Sequence, residues 1–283
     1  MIPLGVVKLD RMAIEEAGPD PERIAASIHM QLALLSGPVP IHQVAEALDI
    51  VEIRLVPLKG LEGALVSTPE RDIGSIVVNS ASSAQRQRFS VAHELGHFLN
   101  PWHKPLEPSG WFACRPEDLR KSWGKLPPEA SHHLIQETEA NRFAIEFLAP
   151  QKFVRPFLRG IPDLTSVLRL SKTLDLSREA SARRYVELHD QPTALVFSVD
   201  GVVRYVQRHP DFPSVLYQPG QRLSELLSPV DKSRLSAHEE ADPRDWLVRP
   251  GRDALIVQTL SQSRGHATTL LALDVAGSDE DDL

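Results

Sequence analysis

Apolar positions along the chain follow two periods, and the switches between them mark out its elements. From Asp20 to Leu35, Ile24, Ile28, Leu32 and Leu35 recur at helical spacing, and Gly37-Pro38 ends the helix. Pro40 to Leu48 reads as a second, short helix. Val51 to Val56 alternates apolar with charged residues, as a half-buried strand does. Leu61 to Ser67 and Gly74 to Asn79 predict two more strands, and Ser80 to Ser83 loops into a long helix, Ala84 to Asn100, halted by Pro101. A second long helix runs from Ser131 to Leu148 and stops at Pro150. Between the two, Pro101 to Pro128 is expected to be an irregular excursion. Leu164 to Leu174 and Arg178 to Leu188 predict two shorter helices, the second capped by Ser177. From Thr193 the texture turns to β: two β-rich runs flank Asp200-Gly201, a tight-hairpin signal, and Ala254 to Leu260 and Thr268 to Leu273 add strands.

These elements divide 283 residues into an expected N-terminal extension (1–19), an α+β core (20–160), a helical middle segment (161–190), a small α+β domain (191–276) and an acidic tail (277–283). With 42% hydrophobic and 24% charged residues, the chain can build ordinary cores, which excludes a disordered class. A single cysteine, Cys114, cannot form a disulfide framework and points to a reducing compartment. Without an early apolar leader or a run of about 18 apolar residues, the expected location is cytoplasmic and membrane spanning is not expected. A net charge of −7 argues against a wholesale polyanion-binding surface, so DNA binding must be argued locally.

The chemistry lies in Phe89-Ser-Val-Ala-His-Glu-Leu-Gly-His97, a His-Glu-x-x-His pentad inside a predicted helix. Four residues turn a helix by about 400°, so His93 and His97 project within about 40° of each other and can share one metal ion. Glu94 cannot point at the same ligand position and is free to carry a proton. Two imidazoles and an open position suit zinc. For a third ligand, His103 lies at metzincin spacing, but Asn100 stands at that pattern's glycine and Met1, Met12 and Met30 all precede the motif, leaving no downstream methionine turn. Helix geometry favours Glu137, which shares a face with Ala140, Asn141, Ala144 and Leu148. Glu139, about 200° away, shares a stripe with Arg142 and Glu146 and is expected to face solvent. Asn141, one turn beyond Glu137, is placed to steady a ligand. His103, His132 and His133 are candidates for oxyanion or substrate contacts, with no spacing rule to choose among them.

The zinc-helix motif, followed by Glu137-x-Glu-Ala-Asn-x-Phe-Ala-x-x-Phe-Leu-Ala-Pro150, resembles the ImmA/IrrE family of gluzincin-type metallopeptidases. Gly37 to Ile50 is similar to the family's entry helices, and Ile76-Val-Val-Asn79 to the strand before its zinc helix. Phe147-Leu-Ala-Pro150 departs from the family's usual Leu-Leu-Met-Pro, a change in the core. The resemblance implies a core with a small mixed sheet, His93, His97 and Glu137 as zinc ligands, and Glu94 as general acid/base. It further implies narrow cleavage of a helix-turn-helix repressor of the XRE type, which turns on stress-response or mobile-element genes.

The middle helices resemble the helix-turn-helix-like segment of the longer family members, and the region after Thr193 resembles their GAF-like sensor domain. Gln151 to Asp190 carries a local surplus of three positive charges, which favours packing or partner docking over direct DNA contact. An extended substrate is expected to pair with a strand edge near Ile76 to Asn79. Oligomeric state is not legible. The rival readings are a DNA- or protein-binding regulator with a non-catalytic zinc site, and a zinc hydrolase of a small substrate.

Overall fold

The computed structural model describes residues 7–105, 111–116, 118, 131–224 and 235–274. The acidic tail and most of the excursion after Pro101 lie outside them. The fold is α+β, and the chain divides into two units: residues 1–153 with 173–176, and residues 154–172 with 177–283. The two middle helices therefore fall mainly with the C-terminal residues. No helix among the described residues is long and apolar enough to cross a membrane.

The first unit opens with α1 (Arg11–Glu15), α2 (Pro21–Leu32) and α3 (Ile41–Ala47). Asp20 starts α2 by accepting hydrogen bonds from the backbone of Glu22 and Arg23, with Pro21 already fixed in helical φ. Strands β1 (Ile50–Val56), β2 (Gly63–Ser67) and β3 (Gly74–Asn79) lead into α4 (Ala84–Leu99), followed by β4 (Trp111–Cys114) and α5 (His132–Leu148). The sheet order is β1-β3-β2-β4, with β1 parallel to β3 and the other pairings antiparallel. Both sides of β3 are occupied, so Ile76 to Asn79 presents no edge to a substrate. The strand is interior because residues 50–56 return to pair with it across a sequence separation that periodicity does not encode. β4 takes the outer place beside β2, inside the stretch expected to be irregular.

Helix α4 starts at Ser83, whose hydroxyl accepts the Arg86 N–H. From Phe89 to Leu99 it is buried all round, packed between the sheet and α5. Gly96 permits the close helix approach: a Cβ there would stand 3.0 Å from Phe143 Cδ1 and 3.3 Å from Ala140 Cα. Ser131 caps α5 through the Leu134 N–H.

The second unit contains α7 (Leu164–Leu174), which follows the short α6 (Gln151–Val154), and α8 (Arg178–Leu188), which Ser177 caps through the Ala180 N–H. Five antiparallel strands, β5 (Thr193–Val199), β6 (Val202–Arg208), β7 (Glu239–Ala241), β8 (Ala254–Ser261) and β9 (His266–Asp274), stand in the order β6-β5-β9-β8-β7. Asp200 (φ 49°) and Gly201 (φ 75°) form the expected hairpin turn. Val196, Phe212, Trp246 and Leu271 centre its core. Arg184 is buried and bonds Glu187 at 3.0 Å, while Arg183 lies 5.9 Å from the Tyr205 ring. The basic surplus of this region is thus partly consumed internally and forms no continuous patch from Arg183 and Arg184.

Candidate metal centre

The helical period of α4 brings His93 and His97 to one face, and α5 supplies Glu137 across from them. His93 Nε2 lies 3.1 Å from His97 Nε2, 3.2 Å from Glu137 Oε2, and His97 Nε2 lies 3.4 Å from Glu137 Oε1. Those spacings match the edge of a tetrahedron drawn around zinc with ligand bonds near 2.0–2.1 Å, an edge of about 3.3 Å. All three side chains are buried. Burial brings the His97 pKa down to about 3, so its imidazole is neutral and can act as a ligand. Burial alone would raise the Glu137 carboxyl, but its close contacts with His93 and His97 outweigh it and hold the group below its ordinary value. His97 and Glu137 therefore sit in the protonation states a metal requires.

Glu94 is fully buried, and neither of its carboxylate oxygens has a hydrogen-bond partner among the described residues. Burial first, then the charges of Glu137 and Asp118, pushes its carboxyl well above the ordinary range. An orphaned carboxylate beside two imidazoles is costly unless a cation or water completes it. The donor set and this orphan together fit a bound dication. Gly63 in β2 makes room for the group, since a Cβ there would stand 2.7 Å from Glu94 Oε1.

The surrounding residues hold the candidate ligands by their outer atoms. Asn141 Oδ1 accepts from His93 Nδ1 at 3.0 Å, and Asn141 Nδ2 donates to the Asp118 carbonyl at 2.7 Å. With His97 Nε2 turned to the ligand position, its Nδ1–H donates to His103 Nδ1 at 2.9 Å, and His103 Nε2–H donates to Glu139 Oε2 at 2.9 Å. Glu139 thus does more than face solvent: it is partly covered and fixes His103. His103 is itself buried, with both ring nitrogens engaged. Arg71 donates to the carbonyls of His97, Asn100 and His103, tying the end of α4 to the loop that carries His103. Phe112 of β4 stacks on the His97 ring with centroids 4.9 Å apart. His133 lies 3.6 Å from Glu137 Oε1 and 3.8 Å from Asp118 Oδ1, while His132 is exposed at the start of α5.

Gly63, Arg71, Phe112, Cys114 and Asp118 were not singled out as site residues by the sequence. The first three act through strand pairing, a carbonyl cage and ring stacking, which carry no spacing signature. Cys114 and Asp118 lie in or beside a four-residue strand too short to show a period.

Residues 46–104 match the IrrE N-terminal-like domain of the M78 peptidases, a span that contains β1 to α4 and both histidines and ends before Glu137. The chain is 26% identical over 159 residues to the radiation response metalloprotease IrrE of Deinococcus radiodurans, a match covering 56% of this chain and 43% of that protein. Both matches support an ImmA/IrrE family member. The chain thus spans less than half of the length of the curated relative. Its fold is also similar to that of a Mycobacterium tuberculosis transcriptional regulator, with a TM-score of 0.54 and 13% identity over 90% of this chain and 76% of that one. At that identity the likeness concerns the fold alone.

Proposed function

We propose that this chain is a zinc-dependent endopeptidase of gluzincin type that makes a narrow cut in a helix-turn-helix repressor of the XRE type and so derepresses stress-response or mobile-element genes. The observation that carries the reading is the convergence of His93, His97 and Glu137 with the orphaned carboxylate of Glu94. Zinc held by those three residues would polarise the scissile carbonyl and ease deprotonation of water. Glu94 takes the proton of the attacking water and delivers it to the leaving nitrogen. His103 and Asn141 hold the two imidazoles in the tautomer and orientation their roles need. β4 pairs with β2 on one side only among the described residues, which gives an extended substrate a strand edge to join next to the centre. The expected oxyanion role is kept for His133, whose side chain is partly exposed beside Glu137.

Support for a stress-response setting comes from the relative named as a radiation response metalloprotease. The second unit, with one antiparallel sheet among the described residues, is read as a GAF-like sensor. Co-expression with each helix-turn-helix repressor encoded near the gene tests the proposal: one repressor is cleaved by the wild type and spared by Glu94→Gln. Repressor binding that is unchanged in Glu94→Gln, with no cleavage by either form, would favour the regulator with a non-catalytic zinc site.

A further inference from the structure

Beside the three-donor centre, the described residues hold a second group of donors that shares Glu137 with it and adds Cys114 and Asp118, which the proposed reaction does not use. Cys114 Sγ, an Asp118 carboxylate oxygen and a Glu137 carboxylate oxygen all lie within 4.8 Å of one another. The three side chains are buried, at 2%, 4% and 4% exposure. His133 stands over the same group, with Nε2 3.8 Å from Asp118 Oδ1 and Nδ1 3.6 Å from Glu137 Oε1. Cys114 Sγ also lies within 4.8 Å of donor atoms on His93 and Glu94, and the Glu94 carboxylate is the fully buried group whose two oxygens lack partners. The group is anchored. Asp118 Oδ2 accepts the Arg115 N–H at 2.9 Å, and the Asp118 carbonyl accepts from Asn141, one helical turn from Glu137.

We propose that Cys114 and Asp118, sharing Glu137 with the first centre and with His133 at the rim, form a second site for a thiophilic divalent cation, zinc in the first instance, and that filling it inhibits the peptidase. A thiolate among the donors selects zinc over magnesium or calcium, which prefer oxygen donors alone. Binding breaks the Cys114 S–H bond, and the proton leaves to water as the sulfur gains the cation. Asp118 and Glu137 bring carboxylate oxygens within 4.8 Å of the sulfur, the oxygen donors a dication needs beside a thiolate. Once there, the ion draws on Glu137 and lies beside Glu94, which weakens a ligand of the first centre and neutralises the proton acceptor. His133, with 28% of its side chain exposed, marks the way in.

This inference rests on His93, His97 and Glu137 being the first centre, and the test separates the two. The metal-free full chain is titrated with cobalt(II) and with zinc, following stoichiometry, absorption and repressor cleavage. Two equivalents are expected, the second bringing a thiolate-to-cobalt charge-transfer band, and zinc beyond the first equivalent suppresses cleavage. Cys114→Ser removes the band and weakens the second ion by at least about tenfold, and the inhibition by excess zinc disappears with it. His133→Ala, at a partly exposed helix position, repeats the weakening without touching the sheet. A single equivalent that is lost in His93→Ala and shows no band overturns the second site and leaves the first intact. A band that develops with the first equivalent makes Cys114 part of one site and also overturns the proposal, as does a second equivalent without inhibition. Failure of the first centre shows separately, as metal binding indifferent to His93→Ala.

Discussion

Under the proposed activity, replacing Gly63 by alanine should abolish cleavage while sparing metal binding. The added methyl would stand 2.7 Å from Glu94 Oε1, 3.4 Å from its Cγ and 3.5 Å from its carboxyl carbon. Relief to an ordinary contact moves the carboxylate by roughly 0.5–1 Å. Gly63 does not have positive φ, so the strand backbone accepts alanine, and the clash falls on the end of a flexible side chain. Overpacking costs about 1–3 kcal/mol, and loss of glycine's unfolded-state freedom returns about 0.5–1 kcal/mol, so the net destabilisation is about 0–2.5 kcal/mol. Proton transfer is less forgiving: a displacement of about 1 Å costs on the order of 10²-fold in rate. The assay pairs single-turnover cleavage of the repressor with zinc affinity and thermal melting of the same preparations. Cleavage within about threefold of wild type would show that Glu94 does not need its present position, against the expected loss of about 10²-fold. Zinc lost along with activity would show instead that the strand itself had shifted.

Other outcomes follow from the same geometry. Glu94→Gln should retain zinc and fold but lose cleavage, measured side by side by metal analysis and turnover, because it removes the proton carrier and no ligand. His103→Ala should weaken zinc binding by about 10–100-fold, by removing the partner of His97 Nδ1, and Glu139→Gln should do so less; chelator competition reads both. His29 is buried against the Phe147 carbonyl; burial lowers its pKa below 6.5, the hydrogen bond opposes that and Lys152 reinforces it. The fold therefore holds it neutral while the unfolded chain protonates, so stability falls as pH drops below 6.5 toward the folded value. His29→Gln should flatten the loss of melting temperature between about pH 7 and about pH 5, and an unchanged acid limb would assign that loss to other groups.

The sequence by itself determined the parts of this protein that depend on neighbours a few residues apart. Helical period places His93 and His97 together, and Glu137 and Asn141 on one inward face, because side chains three to four residues apart share a helix surface. Ser83, Ser131 and Ser177 announce their helices by local capping, and Asp200-Gly201 its turn by left-handed conformation. Tertiary structure alone decided what depends on segments far apart in the chain. Strand order put β3 in the interior and left β4 outermost, because pairing partners are chosen by the whole sheet and by loop closure rather than by the alternation within one strand. It also turned Glu139 from an apparent member of a solvated stripe into the support of His103, through a contact between residues 36 positions apart. Cys114 gained its neighbours the same way: a lone cysteine in a short strand carries no pattern, and only the pairing of β4 with β2 brings its sulfur to the carboxylates of α4 and α5.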